Sequence, residues 1–257
     1  MASLAMGLIE QASPYVIPAA RTMGVVAFMP GFSSNQVPSY MRVALAMGVA
    51  FLVAGTAKPT DPFSGTPEQL VLTLAGELAL GMIVGWAVYV FFEAVRWAGE
   101  LLDLQLGLRA GSLFDPISNQ SSSLLGQVYY LTALTFFFVT DGHHWVLAAV
   151  ARSFDRIPPG GLVMGAGTTD LLVGAAASSL DIGIRVGAVG ICALLLSDIA
   201  LAIVGRHVPQ MNVFLVGIPG KLWAGMIVLG LSAPLLGGAF TVMMQDIRRV
   251  VSLLLGG

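Results

Sequence analysis

Residues 106–123 read LGLRAGSLFDPISNQSSS and stand between two long apolar segments, 68–105 and 124–150. Glycine, serine and proline are concentrated here, which predicts that one helix ends and another begins across this stretch. Backbone that is not hydrogen-bonded within a helix is tolerated at membrane depth only where protein or water forms the missing hydrogen bonds. We therefore expect this segment, called the 106–123 loop, to face a pore or a partner. An ordinary interhelical loop on the membrane surface is the alternative.

The 106–123 loop mixes apolar and polar side chains. The apolar ones are Leu108, Leu113, Phe114 and Ile117, and the polar ones include Ser112, Ser118, Asn119 and Gln120. A segment of this composition is able to block an aqueous path without adopting a fixed fold.

The composition of the chain predicts an integral membrane protein. Of its 257 residues, 56% are hydrophobic and only 10% are charged, and its mean hydropathy is +0.86, whereas soluble domains carry about 25% charged residues. A net charge of -2 with scattered charges provides no basic field for nucleic acid. Cys192 is the single cysteine, so an internal disulfide and a cysteine-based metal site are both unsupported.

Long apolar segments separated by turn-forming residues predict an all-α fold of helical hairpins. The segments lie near 14–30, 38–57, 68–105, 124–150, 170–205 and 211–245. The amino-terminal stretch lacks the basic region of a secretory signal, and Glu10, Pro14 and Pro18 interrupt its apolar residues, so we expect it to be retained. Several segments exceed the roughly 20 residues that cross a bilayer, so simple lipid-facing spans describe them poorly.

Glycines four residues apart predict close helix packing. The pairs are Gly81 and Gly85, Gly183 and Gly187, and Gly107 and Gly111. Small residues at this spacing let helix backbones approach where association depends on packing. The contacts are expected within this chain or with a partner.

Four charged residues follow one another at intervals of three, four and three, which places them along one helical face. They are Glu93, Arg96, Glu100 and Asp103. Charges at membrane depth should face protein or water. This predicts a hydrophilic wall or an ion-pair ladder between subunits; the alternative is that this half of the helix leaves the membrane and is solvated.

Other charges stand in apolar surroundings. Asp181 and Arg185 have the spacing of a local ion pair. Arg21, Arg42, Glu77 and Asp198 are isolated in sequence. Because an unpaired buried charge is very costly, we expect them to find partners in other helices or other chains. Proton relay through Glu77 or Asp198 is an alternative to structural pairing.

The sequence carries no pattern of an enzyme active site. It lacks a Gly-x-Ser-x-Gly element, a phosphate loop and a dinucleotide fingerprint. His143 and His144 are adjacent, and neighbouring helical residues point in different directions, so they are expected to make a poor two-ligand metal site. We expect a pair at a helix end near the membrane interface, beside Trp145.

Ordered motifs over nearly the whole chain resemble the FliR/SctT family of type III export proteins. The motifs, in chain order, are Arg21, Gly24, Pro30, Phe32, Pro38 and Arg42; Glu77; AGE at 98–100; DLQLG at 103–107; Asp115 and Pro116; DGHHW at 141–145; SF at 153–154; and GRHVPQMNVFLVGIPGK at 205–221. The last motif is the most specific, and its members include Arg206, Pro209, Gln210, Asn212, Phe214, Pro219 and Lys221.

The resemblance implies a subunit without a cofactor in a heteromeric complex with FliP and FliQ. It implies a FliP-like portion over 1–150, a FliQ-like hairpin within 151–257, and a bacterial inner-membrane location in the flagellar basal body. Much of that complex is expected to lie above the membrane plane. FlhB, FlhA and unfolded export substrates are the further partners implied.

The resemblance also implies roles for particular residues. The 106–123 loop corresponds to the plug of a closed pore, with Leu108, Leu113, Phe114, Asp115, Pro116 and Ile117 at the constriction. Charges expected to serve assembly or line the conduit are Glu93, Arg96, Glu100, Asp103, Arg21, Arg42 and Glu77. The alternatives are the injectisome counterpart SctT, an ion-coupled secondary transporter and, most distantly, a membrane-embedded enzyme; the PQMNVF segment favours the flagellar system.

Overall fold

The structure is a computed structural model that describes residues 2–33, 37–56, 65–108, 123–161, 166–207 and 213–256. Within these ranges the chain forms helices and no strand. They are α1 (Ala2–Phe28), α2 (Ser39–Thr56), α3 (Pro67–Leu106), α4 (Leu124–Val139), α5 (Gly142–Arg156), α6 (Ala166–His207) and α7 (Val213–Leu254). The prediction of an all-α membrane protein is confirmed.

Two helices, α3 and α6, are individually long and apolar enough to cross a membrane. If α4 and α5 together count as one bent span, and the two parts of α7 on either side of its bend count as another, the described residues contain up to four spans. The helices α3, α6 and α7 contain 40, 42 and 42 residues. At about 1.5 Å per residue α3 and α6 are each about 60 Å long, roughly twice the thickness of a hydrocarbon core, whereas the bend divides α7 into two shorter parts.

The chain forms two compact units. The first comprises Met1–Val90, Phe137–Ala176 and Gln245–Gly257, and the second comprises Phe91–Phe136 and Ala177–Met244. The division into 1–150 and 151–257 rests on the likeness to FliP and FliQ and stays a prediction.

In the first unit, glycines let α1 and α3 approach closely. A Cβ atom built at Gly81 would overlap the backbone carbonyl of Arg21, and one at Gly85 would lie 2.7 Å from the carbonyl oxygen of Val25. Val25 and Val26 are buried beside this crossing. The predicted packing role of Gly81 and Gly85 is confirmed.

In the second unit, α6 packs on α3 through Gly183 and Gly187. A Cβ atom at Gly183 would lie 2.8 Å from the carbonyl oxygen of Ala94, and one at Gly187 would contact Ala98. Gly107 behaves differently, because no atom of the described residues lies within 4 Å of its Cβ position and its φ is +74°. Gly107 ends α3, and a close helix contact with a partner at Gly107 stays a prediction. Its predicted pair mate Gly111 lies outside the described residues.

Helix boundaries differ from the predicted ones at three places. α1 begins at Ala2, before the predicted start near residue 14, and continues through Pro14 and Pro18. Each proline removes one backbone hydrogen bond, and packing of the helix, including buried Ile17, compensates. The apolar run 124–150 is broken at Asp141, whose φ of 55° and ψ of 27° lie in the left-handed region. α7 also extends beyond the predicted end, to Leu254.

Candidate functional site: the ends of the 106–123 loop and the charged helix faces

The first end of the 106–123 loop is a defined helix stop. Gly107 takes the left-handed conformation, its N–H donates to the carbonyl of Leu104 at 3.2 Å, and the N–H of Leu108 donates to the carbonyl of Asp103 at 3.1 Å. This pair of bonds is the Schellman arrangement, which satisfies carbonyls at a helix end. The predicted break after Leu106 is confirmed at this end.

The second end of the loop is held by the carboxylate of Asp103. Asp103 is fully buried and accepts hydrogen bonds from the Ser123 hydroxyl and, at 3.1 Å, from the N–H of Leu125. The Ser123 hydroxyl oxygen accepts in turn from the N–H of Gly126 at 2.8 Å, as a helix N-cap does. One buried acid at the end of α3 therefore fixes the start of α4 and joins both ends of the loop.

Residues 109–122 lie outside the described residues, and with them the predicted plug residues Leu113, Phe114, Asp115, Pro116 and Ile117. Leu108 is the predicted plug residue that the structure describes. It is 42% exposed, just beyond the end of α3. Plug roles for all six residues stay predictions.

The charged stripe on α3 divides into an ion-pair ladder and the loop anchor. Arg96 lies 2.7 Å from Glu93 and 3.5 Å from Glu100, and the Arg96 side chain is 41% exposed. The predicted face thus forms a ladder within one helix. The carboxylate of Asp103, the fourth member, is buried and bonded to the start of α4. Conduit or assembly roles for all four residues stay predictions.

Arg21 is the centre of a buried polar network in the first unit. Its side chain is 1% exposed, and its Nε donates to Glu77 Oε2 at 2.6 Å. Nη1 donates to Ser153 Oγ at 2.7 Å, Nη2 donates to the carbonyl of Ile157 at 3.1 Å, and the guanidinium lies 3.9 Å from the ring centre of Phe154. Glu77 Oε1 also accepts from the N–H of Gly160 at 3.0 Å.

This network satisfies both buried charges within the chain. It joins α1, α3, α5 and the segment after α5, which explains why Arg21 and Glu77 stand among apolar residues. The prediction of partners in other helices is confirmed for both. Sequence reasoning missed Ser153 as a partner, although the SF motif at 153–154 contained the signal.

Asp198 of α6 forms an ion pair with Lys221 of α7. The prediction that Asp198 has a partner in another helix is confirmed. Asp181 and Arg185 form the predicted local pair at 2.7 Å, with side chains 56% and 63% exposed. Arg42 donates to the carbonyl of Val37 at 3.0 Å, a bond close in sequence, so its predicted partner in another helix or chain stays a prediction.

The 205–221 motif spans the end of α6 and the first part of α7. Arg206 and Pro219 are exposed, and Lys221 is partly exposed. Pro209, Gln210 and Asn212 lie outside the described residues, and Phe214 belongs to the first turn of α7.

Asp141, His143 and His144 form a cluster that sequence reasoning underestimated. Their ligand atoms all lie within 4.8 Å of one another, and the two imidazole rings are 4.0 Å apart between centroids. The expectation that the histidines diverge is wrong, because the left-handed Asp141 begins a new helix immediately before them. The side chains of Asp141 and His144 are more than 70% exposed, and His144 Nδ1 lies 3.1 Å from Asp141 Oδ1.

Comparison with known proteins identifies the family. Residues 12–247 match the model of "Bacterial export proteins, family 1". The chain belongs to this family. It is 28% identical to the flagellar biosynthetic protein FliR of Escherichia coli K12, covering 86% of this chain and 85% of that protein. It is 32% identical to FliR of Bacillus subtilis over 78% of each chain.

A further relative of this bacterial export protein is the secretion system apparatus protein SsaT of Salmonella typhimurium. The identity is 28%, over 63% of this chain and 62% of SsaT. The likenesses to flagellar and secretion-system proteins support a membrane-associated component of the flagellar export apparatus, acting in flagellar biosynthesis and type III export.

Proposed function

We propose that this protein is a core subunit of the type III export gate of the bacterial flagellum. With FliP and FliQ it forms a gated conduit in the inner membrane, through which unfolded flagellar proteins leave the cytoplasm. FlhB and FlhA are the neighbouring partners in this proposal, and the 106–123 loop is the plug of the closed conduit.

The structural observation that carries the proposal is the exposed ion pair on α6. Asp181 lies 15 residues after Ala166, and Arg185 lies 22 residues before His207, so the pair is about 22 Å and 33 Å from the two ends of the helix. Charges this far inside an apolar helix should face water or protein. A conduit or a partner subunit provides that environment, whereas lipid does not.

Exposed apolar surface on the same helix supports a subunit with partners. Leu180, Ile184 and Leu196 are each more than half exposed. A surface that combines large apolar side chains with a charged pair is typical of a contact with other protein chains. The length of α3 and α6, which exceeds a bilayer crossing, also agrees with an assembly that extends beyond the membrane.

The test of the assembly is native mass spectrometry of the tagged chain, purified in mild detergent from cells that express its neighbouring genes. A defined complex with two other small membrane proteins is expected. A monomer or homodimer that is stable alone would contradict the proposal and favour the secondary transporter. The chain can also be expressed in a bacterium that lacks its own flagellar member of this family. Restored swimming would favour the flagellar assignment over the injectisome assignment.

The test of the plug is a deletion of residues 110–120, which should leave assembly intact and make membranes permeable to ions, because apolar constrictions exclude water. Replacement of Leu113, Phe114 and Ile117 by serine should have the same effect. Replacement of Ser112, Ser118 and Asn119 by alanine is the matched control. Unchanged conductance in the assembled deletion variant would contradict the plug assignment.

A further inference from the structure

A cavity of about 390 Å³ lies in the first unit, between α5 and the end of α7. It plays no part in the proposed gate. Its lining residues are Trp145, Ala148, Ala149, Arg152, Ser153, Asp155, Arg156, Ser252 and Leu255. Two arginines and one aspartate give the lining a net positive charge.

Arg152 has no ion-pair partner in the described part of the chain, although Asp155 lines the same cavity. It is exposed at the cavity wall and forms no hydrogen bond or ion pair with another described residue. Arg156 uses Nη1 to donate to the carbonyl of Gly256 at 2.6 Å, a neutral acceptor. Both guanidinium groups therefore keep positive charge directed at the same space, which favours an anion.

Trp145 and Arg248 place a second recognition element at the edge of this cavity. The guanidinium of Arg248 lies 5.9 Å from the Trp145 ring centre, and Trp145 is itself half-buried. Tryptophan with arginine is typical of the membrane interface, where the ring meets acyl chains and the charge meets head groups. Leu253, next to the lining residue Ser252, is 43% exposed and offers apolar surface nearby.

We propose that this cavity binds the phosphate of an anionic phospholipid head group. Arg152 and Arg156 contact the phosphate oxygens, and the acyl chains lie along Trp145 and Leu253. A phosphodiester fits because arginine offers paired donors in the geometry of phosphate oxygens. The site would tie the end of α7 to the surrounding membrane, independently of whether the 106–123 loop is a plug.

The test is binding of dioleoyl phosphatidylglycerol to the purified full chain, together with the subunits that copurify with it, by native mass spectrometry. Dioleoyl phosphatidylcholine is the zwitterionic comparison. We expect tighter binding of phosphatidylglycerol, weakened roughly tenfold by Arg152→Gln, since a hydrogen bond to a charged group is lost. Asp155→Asn should strengthen binding, because it removes the acid from the lining.

Arg249→Gln is the matched control, because Arg249 is an exposed arginine of α7 that does not line the cavity. Equal binding of the two lipids, or equal effects of Arg152→Gln and Arg249→Gln, would overturn the proposal. Displacement of phosphatidylglycerol by millimolar inorganic phosphate would assign the site to free phosphate and overturn the lipid assignment. A photocrosslink from position 152 to a copurifying subunit would do the same in favour of an acidic protein surface.

Discussion

Replacing Asp103 by alanine should release the start of α4 and with it one end of the 106–123 loop. The carboxylate accepts from the Ser123 hydroxyl and from the N–H of Leu125, and all three groups are buried. Hydrogen bonds to a charged group contribute about 1.5–3 kcal/mol each. Two donors give about 3–6 kcal/mol, and water entering the vacated space reduces the loss towards about 3 kcal/mol.

This loss is measurable as amide hydrogen exchange in the assembled protein. If the free energy of opening the first turn of α4 falls by about 3 kcal/mol, the exchange rates of the Leu125 and Gly126 amides should rise roughly 100-fold. Peptides covering 123–130 should show it by mass spectrometry. Asp103→Asn, which keeps one acceptor oxygen, should have a smaller effect.

Glu100→Gln is the matched control, because Glu100 lies one turn earlier on α3 and pairs with Arg96 at the partly exposed surface. It should leave exchange at Leu125 and Gly126 within a factor of about three, as expected of a surface pair. If Asp103→Ala also left these amides protected, Asp103 would not hold the start of α4, and the anchoring role assigned to it would be refuted.

Three further changes test other parts of the structure. Glu77→Gln should lower the free energy of unfolding in detergent by about 3–5 kcal/mol, because Arg21 loses its buried charged partner. The double variant Arg21→Met with Glu77→Leu should recover much of this loss. Thermal unfolding measures both, and equal stability of Glu77→Gln and wild type would refute the pairing. Gly81→Ala should destabilise the crossing of α1 and α3 by about 1–3 kcal/mol. Gly76→Ala is the control on the same helix and should be neutral or mildly stabilising, because the space beside Gly76 is open. Equal thermal stabilities of the two variants would argue against close packing at Gly81. Arg96→Glu should lower the yield of the assembled complex by like-charge repulsion, with Arg96→Gln as the charge-loss control at the same position; normal yield for Arg96→Glu would count against an assembly role.

The ends of the 106–123 loop were predictable to different degrees. A glycine after a long apolar run predicts a helix stop, and Gly107 provides it through its left-handed conformation. The role of Asp103 was not predictable from spacing, since its partner Ser123 lies 20 residues away. Helical periodicity placed Asp103 with Glu93, Arg96 and Glu100, and only tertiary structure separates the buried acid from the exposed ladder.

Arg21 and Glu77 stand alone among apolar residues in the sequence, which predicted that they need partners but did not identify those partners. The two residues are 56 positions apart, and Ser153 is 132 positions from Arg21. Close packing at Gly81 is what brings α1 and α3 near enough for the pair to form. The break at Asp141 escaped prediction because apolar residues continue on both sides, so composition outweighed the turn-forming Asp141 and Gly142.

The placement of charges supports the proposed assembly subunit over a self-sufficient transporter. A transporter keeps ionisable groups in its interior to bind an ion or a solute. Here the buried Glu77 uses both oxygens on Arg21 and Gly160, and the buried Asp103 uses its oxygens on Ser123 and Leu125. These acids are occupied in holding helices together, while the pair Asp181 and Arg185 faces outward from the middle of α6. An outward charge needs an environment that lipid does not supply, which favours a chain whose surface is completed by other subunits.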